Sequence, residues 1–120
     1  MLYAVLCYNL ESVVCAWSKE KDATVMAKHA AVARGFTARG KLGPVARLMP
    51  TTTATTVRSG REPLVIDGPF AETREQLLGF YVLDCASLEE AIAAAHGLLE
   101  ETGALEIRPI AVFYPGVGVT

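Results

Sequence analysis

Strand-like and helical segments follow one another in the order β-α-β-hairpin-β-α-β, which predicts an α+β fold of the split βαβ, ferredoxin-like type with an added β-hairpin. Three observations carry that prediction. Two segments have helical periodicity with their own caps, and the segments around them are rich in β-branched and aromatic residues. A glycine-containing turn joins two short strands in mid-chain. With 120 residues there is room for one core, so residues 1–120 read as a single domain.

Leu2 to Asn9 (LYAVLCYN) is the first strand. Ser18 supplies an N-cap oxygen for a helix from Lys19, and Gly40 is a C′ residue after Arg39. Within that helix Val25, Met26, Val32, Ala33 and Phe36 fall at i, i+1, i+7, i+8 and i+11, one inward stripe. Lys41 to Leu48 is a weak second strand. Thr53 to Arg58 and Pro63 to Asp67 form a hairpin across Ser59-Gly60-Arg61-Glu62, with Gly60 able to take positive φ and Pro63 suited to an edge. Asp67-Gly68-Pro69-Phe70 is a turn, and Thr73 with Gln76 is placed to cap one short helical turn. Gly79 to Cys85 is a strand. Ser87 with Glu90 forms a capping box that opens a helix to about Leu99, ahead of Gly103. Leu105 to Tyr114 is the last strand, and the Gly-rich tail to Thr120 is expected to be loose.

Such a sheet carries helices on one face only, yet both faces are apolar. Leu2, Ala4, Leu6 and Tyr8 oppose Tyr3, Val5 and Cys7, and Phe80 and Val82 oppose Tyr81 and Leu83. Leaving one face bare costs a few kcal/mol at ~25 cal/mol per Å², which predicts a homodimer with two sheets packed face to face. The alternative cover is the hairpin, folded over that face.

The chain is 52% hydrophobic and 20% charged, with 11 basic and 13 acidic residues. That balance excludes a disordered chain, and the absence of a basic patch argues against a nucleic-acid partner. No apolar run approaches the ~20 residues of a membrane helix, and no signal-peptide pattern opens the sequence. Cys7, Cys15 and Cys85 are an odd set without CxxC spacing, arguing against a disulfide framework or a zinc site. A soluble, reduced, cytoplasmic protein is expected. The GxGxxG, GxxxxGK[ST], GxSxG and HExxH patterns are all missing, so no cofactor or metal is expected.

Few residues are left to carry chemistry. His29 shares the inward stripe of the first helix, where an imidazole acts as a general acid or base in a partly dry pocket, or sits as a hydrogen-bonded core residue. Asp67 either closes an Asx-turn or projects into the cleft between sheet and helices to orient that imidazole. Arg108, between Ile107 and Pro109, binds a substrate anion or pairs with a carboxylate across the sheet. Tyr81 and Phe70 complete the candidate substrate-binding set; Tyr81 and Tyr8 line a pocket or pack in the core or between subunits. Glu72, Arg74 and Glu75 read as a solvated face, His96 as a rim residue, and Cys7 and Cys85 as packing groups.

The eleven-residue string Asp67 to Leu77 (DGPFAETREQL), followed by Gly79-Phe80-Tyr81, resembles the signature of the DGPF subgroup of the YCII-related (YciI-like) family. Thr53 to Arg58 and Glu106 to Pro109 are similar to that subgroup's flanking blocks, and the His29 to Gly40 spacing resembles the family's first helix. Arg74 stands where lysine is usual and Leu78 where glycine is usual, and the second helix lacks the Asp-Pro motif of shorter members. The resemblance implies a ferredoxin-like subunit in a dimeric α+β barrel, with a pocket between sheet and helices and a catalytic histidine at the position of His29. It also implies two settings: a small-molecule enzyme of isomerase or lyase type, some relatives acting in aromatic breakdown, or a ligand-sensing accessory module associated with an extracytoplasmic-function sigma factor. A stable dimer without a ligand is a third possibility.

Overall fold

The computed structural model describes residues 1–118; the last two residues of the Gly-rich tail lie outside the described residues. Four antiparallel strands, β1 (Leu2–Asn9), β2 (Leu42–Arg47), β5 (Gln76–Asp84) and β6 (Ala104–Pro109), form one sheet in the order β2-β5-β1-β6. This is the ferredoxin-like strand order. Helices α2 (Lys19–Ala38) and α3 (Leu88–Leu98) are the two crossovers, and both pack on one face. The core lies between them and the sheet: Phe36 from α2 and Ala91, Ala94 and Leu98 from α3 meet Tyr3, Val5, Tyr81 and Leu83.

Local chemistry sets the helix ends. Ser18 Oγ accepts the Lys21 N–H at 3.0 Å, and Ser87 Oγ accepts the Glu90 N–H at 3.2 Å, each satisfying an otherwise unpaired first-turn donor. Gly40 adopts φ 67°, and bonds from Gly40 N to Thr37 O and from Lys41 N to Phe36 O close a Schellman motif. Met26, expected in the inward stripe, instead reaches the rim, while Val25 and Phe36 are buried.

Four expectations need correcting. A short helix, α1 (Glu11–Val14), occupies a segment the periodicity left unassigned. Thr73 and Gln76 cap no helical turn. The Gln76 side chain is drawn elsewhere, its Nε2 donating to Thr73 O and its Oε1 accepting the Glu11 N–H, and Gln76 already begins β5. The last strand stops at Pro109 rather than Tyr114, because its partner β1 begins at Leu2: one more bond, from Ile110 N to Leu2 O at 2.9 Å, closes the ladder. Gly60 does not take positive φ.

The hairpin of β3 (Thr55–Arg58) and β4 (Leu64–Asp67) is a separate two-stranded sheet, and every residue of β4 is exposed. It therefore does not cover the open face of the main sheet, where Leu2, Ala4, Leu6 and Phe80 remain half-buried. Its base is pinned: Glu11 Oε1 accepts the Thr51 hydroxyl at 2.9 Å and its carboxylate also accepts the Thr51 N–H, while Gly68 N donates to Ala54 O at 2.7 Å. At the opposite edge of the main sheet, β2 carries Gly43 and Pro44 where its register against β5 shifts.

Gly103 enters β6 at φ 99°, and a Cβ there would collide with the Tyr8 carbonyl and approach Asn9 Cγ at 2.8 Å. Gly103→Ala is expected to destabilise the fold by about 1–3 kcal/mol, combining backbone strain with a clash against rigid backbone. Urea denaturation measures it; an unchanged midpoint would contradict the close approach.

Candidate functional site

A narrow cavity of about 80 Å³ opens between α2, the α1–α2 connection, the end of α3 and the sheet. Its walls are largely apolar, with Val14, Trp17, Val25, Met26 and Leu78 among them. Cys7, Tyr8 and Asn9 all contribute to it. The register of β1 against β5 shifts between Cys7 and Tyr8, with Leu78 of β5 the residue left unpaired there, while β1 stays in continuous register with β6. Tyr8, expected on the face of Leu2, is among the residues lining the cavity.

His29 lines this cavity, and both of its ring nitrogens are engaged. Nδ1 lies 3.0 Å from the Tyr81 hydroxyl and Nε2 lies 3.2 Å from the Leu98 carbonyl oxygen. A carbonyl only accepts, so Nε2 carries the proton; in the neutral ring Nδ1 is then the acceptor and Tyr81 donates to it. Burial lowers the His29 pKa below 6.5, opposed by the Leu98 bond and the Glu100 charge and reinforced by Lys28 and Arg47. The ring is therefore a neutral base at pH 7. Tyr81 is pushed up, first by burial and then by neighbouring Cys7, whose thiol burial raises to about 11. Cys7 is thus an unionised wall group, as a packing role requires.

The charges around the ring are paired. Glu100, nearly buried in the wall, takes Lys28 at 3.0 Å and Lys21 at 4.0 Å. Arg47 on β2 also lines the cavity and pairs with Asp22 of α2 at 3.0 Å.

Of the five residues the sequence put forward, the structure brings together two, His29 and Tyr81. Asp67 is exposed on the hairpin and does not reach the imidazole; the acidic group in that environment is Glu100. Phe70 is 73% exposed in the turn after β4. Arg108 stands opposite Ala4 in β6 and is exposed. Strand alternation gives Ile107 to the helix side, so Arg108 points to the other face. Glu100, Arg47 and Lys28 were not singled out from sequence. One signal was available: Lys21, Val25, Lys28 and His29 fall at i, i+4, i+7 and i+8, placing two lysines on the helix face that carries the histidine.

A model of the YCII-related domain matches residues 1–114. An uncharacterized protein of Rhizobium meliloti (strain 1021) is 60% identical over 120 residues, covering 97% of each chain.

The lowered His29 pKa ties stability to pH. Between the folded value and the unfolded value near 6.5, the unfolded chain binds more protons than the folded one, so stability falls as pH drops through that window. His29→Gln, which cannot be protonated, is expected to flatten this acid-side loss while lowering stability at pH 7.5 by about 1–2 kcal/mol for the lost bonds. Denaturation midpoints at pH 7.5 and across the acid range measure both effects; an equally steep loss in the variant would remove His29 as its source.

Proposed function

This chain belongs to the YCII-related family, and we propose that it is a small-molecule acid/base enzyme, of isomerase or lyase type, in which His29 takes and returns a proton within the cavity. The observation that supports this is the bond set of the ring: Nε2 is held by the Leu98 carbonyl, and Nδ1 is a base whose present partner, the Tyr81 hydroxyl, can yield its place to a substrate. A ligand X–H that displaces Tyr81 meets Nδ1, gives up its proton there, and leaves the tyrosine hydroxyl as a donor beside the developing negative charge. Apolar walls keep water from competing for that proton. Asp67, Phe70 and Arg108 have no place in this step. The Asp67 to Leu77 string supports assignment to the DGPF subgroup.

A second reading has its own support. Because both ring nitrogens are already satisfied within the chain, the cavity also suits a module that binds a ligand without transforming it, the role the sigma-factor association would call for. Solvent-deuterium incorporation into small cyclic ketones and enols, followed by ¹H NMR, separates the two. Exchange accelerated by the wild type and slowed ~10²–10⁴-fold in His29→Gln is expected for the enzyme. Cavity binding without accelerated exchange in any compound would favour the sensing role.

The half-buried row of Leu2, Ala4, Leu6 and Phe80 supports a face-to-face dimer, a dimeric α+β barrel. Sedimentation equilibrium is expected to return twice 12.8 kDa for the wild type and a shift to monomer for Leu6→Lys. A monomeric wild type would remove the barrel.

A further inference from the structure

Helix α3 ends without the glycine that commonly turns back a C-terminus. Its C-cap, Leu99, is extended at φ −72° and ψ 136°, and the carbonyls of Leu98 and Leu99 are met by the neighbouring helix instead. His29 takes the Leu98 carbonyl, and Lys28 donates to the Leu99 carbonyl and to Glu100 Oε2 at 3.0 Å. Consecutive residues of α2 thus cap consecutive carbonyls at the end of α3, beside the backbone bond from Leu99 N to His96 O at 3.4 Å. The far end of the same segment is fixed separately, through the bond from Thr102 Oγ1 to Asn9 Oδ1 at 2.7 Å.

We propose that Lys28 is a positioning residue for His29: by holding the Leu99 carbonyl and Glu100, it keeps the Leu98 carbonyl on Nε2 and so leaves Nδ1 as the proton acceptor. The argument turns on which partner selects the tautomer. A tyrosine hydroxyl both donates and accepts, so Tyr81 is compatible with either protonation of Nδ1. The Leu98 carbonyl only accepts and is therefore the partner that chooses. Its position depends on the path of the chain through Leu99 and Glu100, and Lys28 is the side chain that binds both of them. Lys21 contributes less, at 4.0 Å from Glu100 and 3.9 Å from the exposed Glu101. The other groups around the ring, Arg47 on β2 and Cys7 beside Tyr81, offer it no hydrogen bond. This inference rests on the reading of His29 as the cavity's base, but its test needs no substrate.

Two-bond ¹H–¹⁵N spectra of the imidazole rings at pH 7.5 report the tautomer directly, with exposed His96 as an internal reference. The wild type is expected to show a single Nε2–H form with an unprotonated Nδ1 that accepts the Tyr81 hydroxyl. In Lys28→Met, Nδ1 is expected to move towards the averaged shift of a ring exchanging between tautomers, and Lys28→Arg, which keeps charge and donors, is expected to restore the wild-type spectrum. Should Lys28→Met fail to give a folded amide spectrum, Glu100→Gln removes the other half of the ion pair, and a smaller shift in the same direction is expected. An unshifted Nδ1 in the folded Met variant, or in the Gln variant where that one is used, overturns the proposal, as does a wild type that already mixes tautomers. Because no turnover enters the readout, a cavity that only binds would leave this result standing, and a failed tautomer test would leave the exchange assay to stand alone.

Discussion

Everything in the cavity depends on one bifunctional ring. His29 is the point at which three elements meet through polar bonds: its own helix, the carbonyl end of α3, and the central strand β5 through Tyr81. Each bond alone contributes on the order of 1 kcal/mol, but their geometry does more than their energy, because they fix how a titratable group is presented to a largely apolar cavity. Leaving either nitrogen unmatched in this half-buried place would cost ~1–3 kcal/mol. The same two contacts thus serve the fold and set the chemistry.

The electrostatic surroundings follow from how a helix ends. The last carbonyls of α3 concentrate negative potential beside Glu100, and two lysines of α2 answer it. Such an arrangement would ordinarily favour a protonated imidazole. Burial outweighs it here, and the net displacement of the His29 pKa is downward. On the other side, the charge of Arg47 is balanced by Asp22 at 3.0 Å. The cavity is therefore apolar and almost charge-balanced, better suited to a small neutral or weakly acidic molecule than to a multiply charged one.

How much of this could be read from the residues alone differs by level. The crossover helices, their caps at Ser18 and Ser87, the C′ glycine and the hairpin are all local properties, and the structure contains them. The inward position of His29 was also legible, because a helix face is defined by spacing. Its partners were not. Tyr81 and Leu98 are 52 and 69 residues away, and nothing in a linear pattern announces that a histidine will take a carbonyl from another helix. Asp67 illustrates the opposite error. It lies in the most distinctive string of the sequence, yet the hairpin carries it out to solvent, since that string shapes a turn rather than lining the cavity. The bulge at Leu78 was equally invisible, and it falls where the cavity meets the sheet.

The irregular outer strand β2 has a further consequence. With Gly43 and Pro44 interrupting its ladder, it presents a broken row of donors to any strand arriving from outside. At the opposite margin, β6 ends on a proline and alternates Glu106 and Arg108 with its apolar residues. Neither margin is a good template for fibrillar growth, so open-ended stacking edge to edge is disfavoured even in a concentrated solution of this chain.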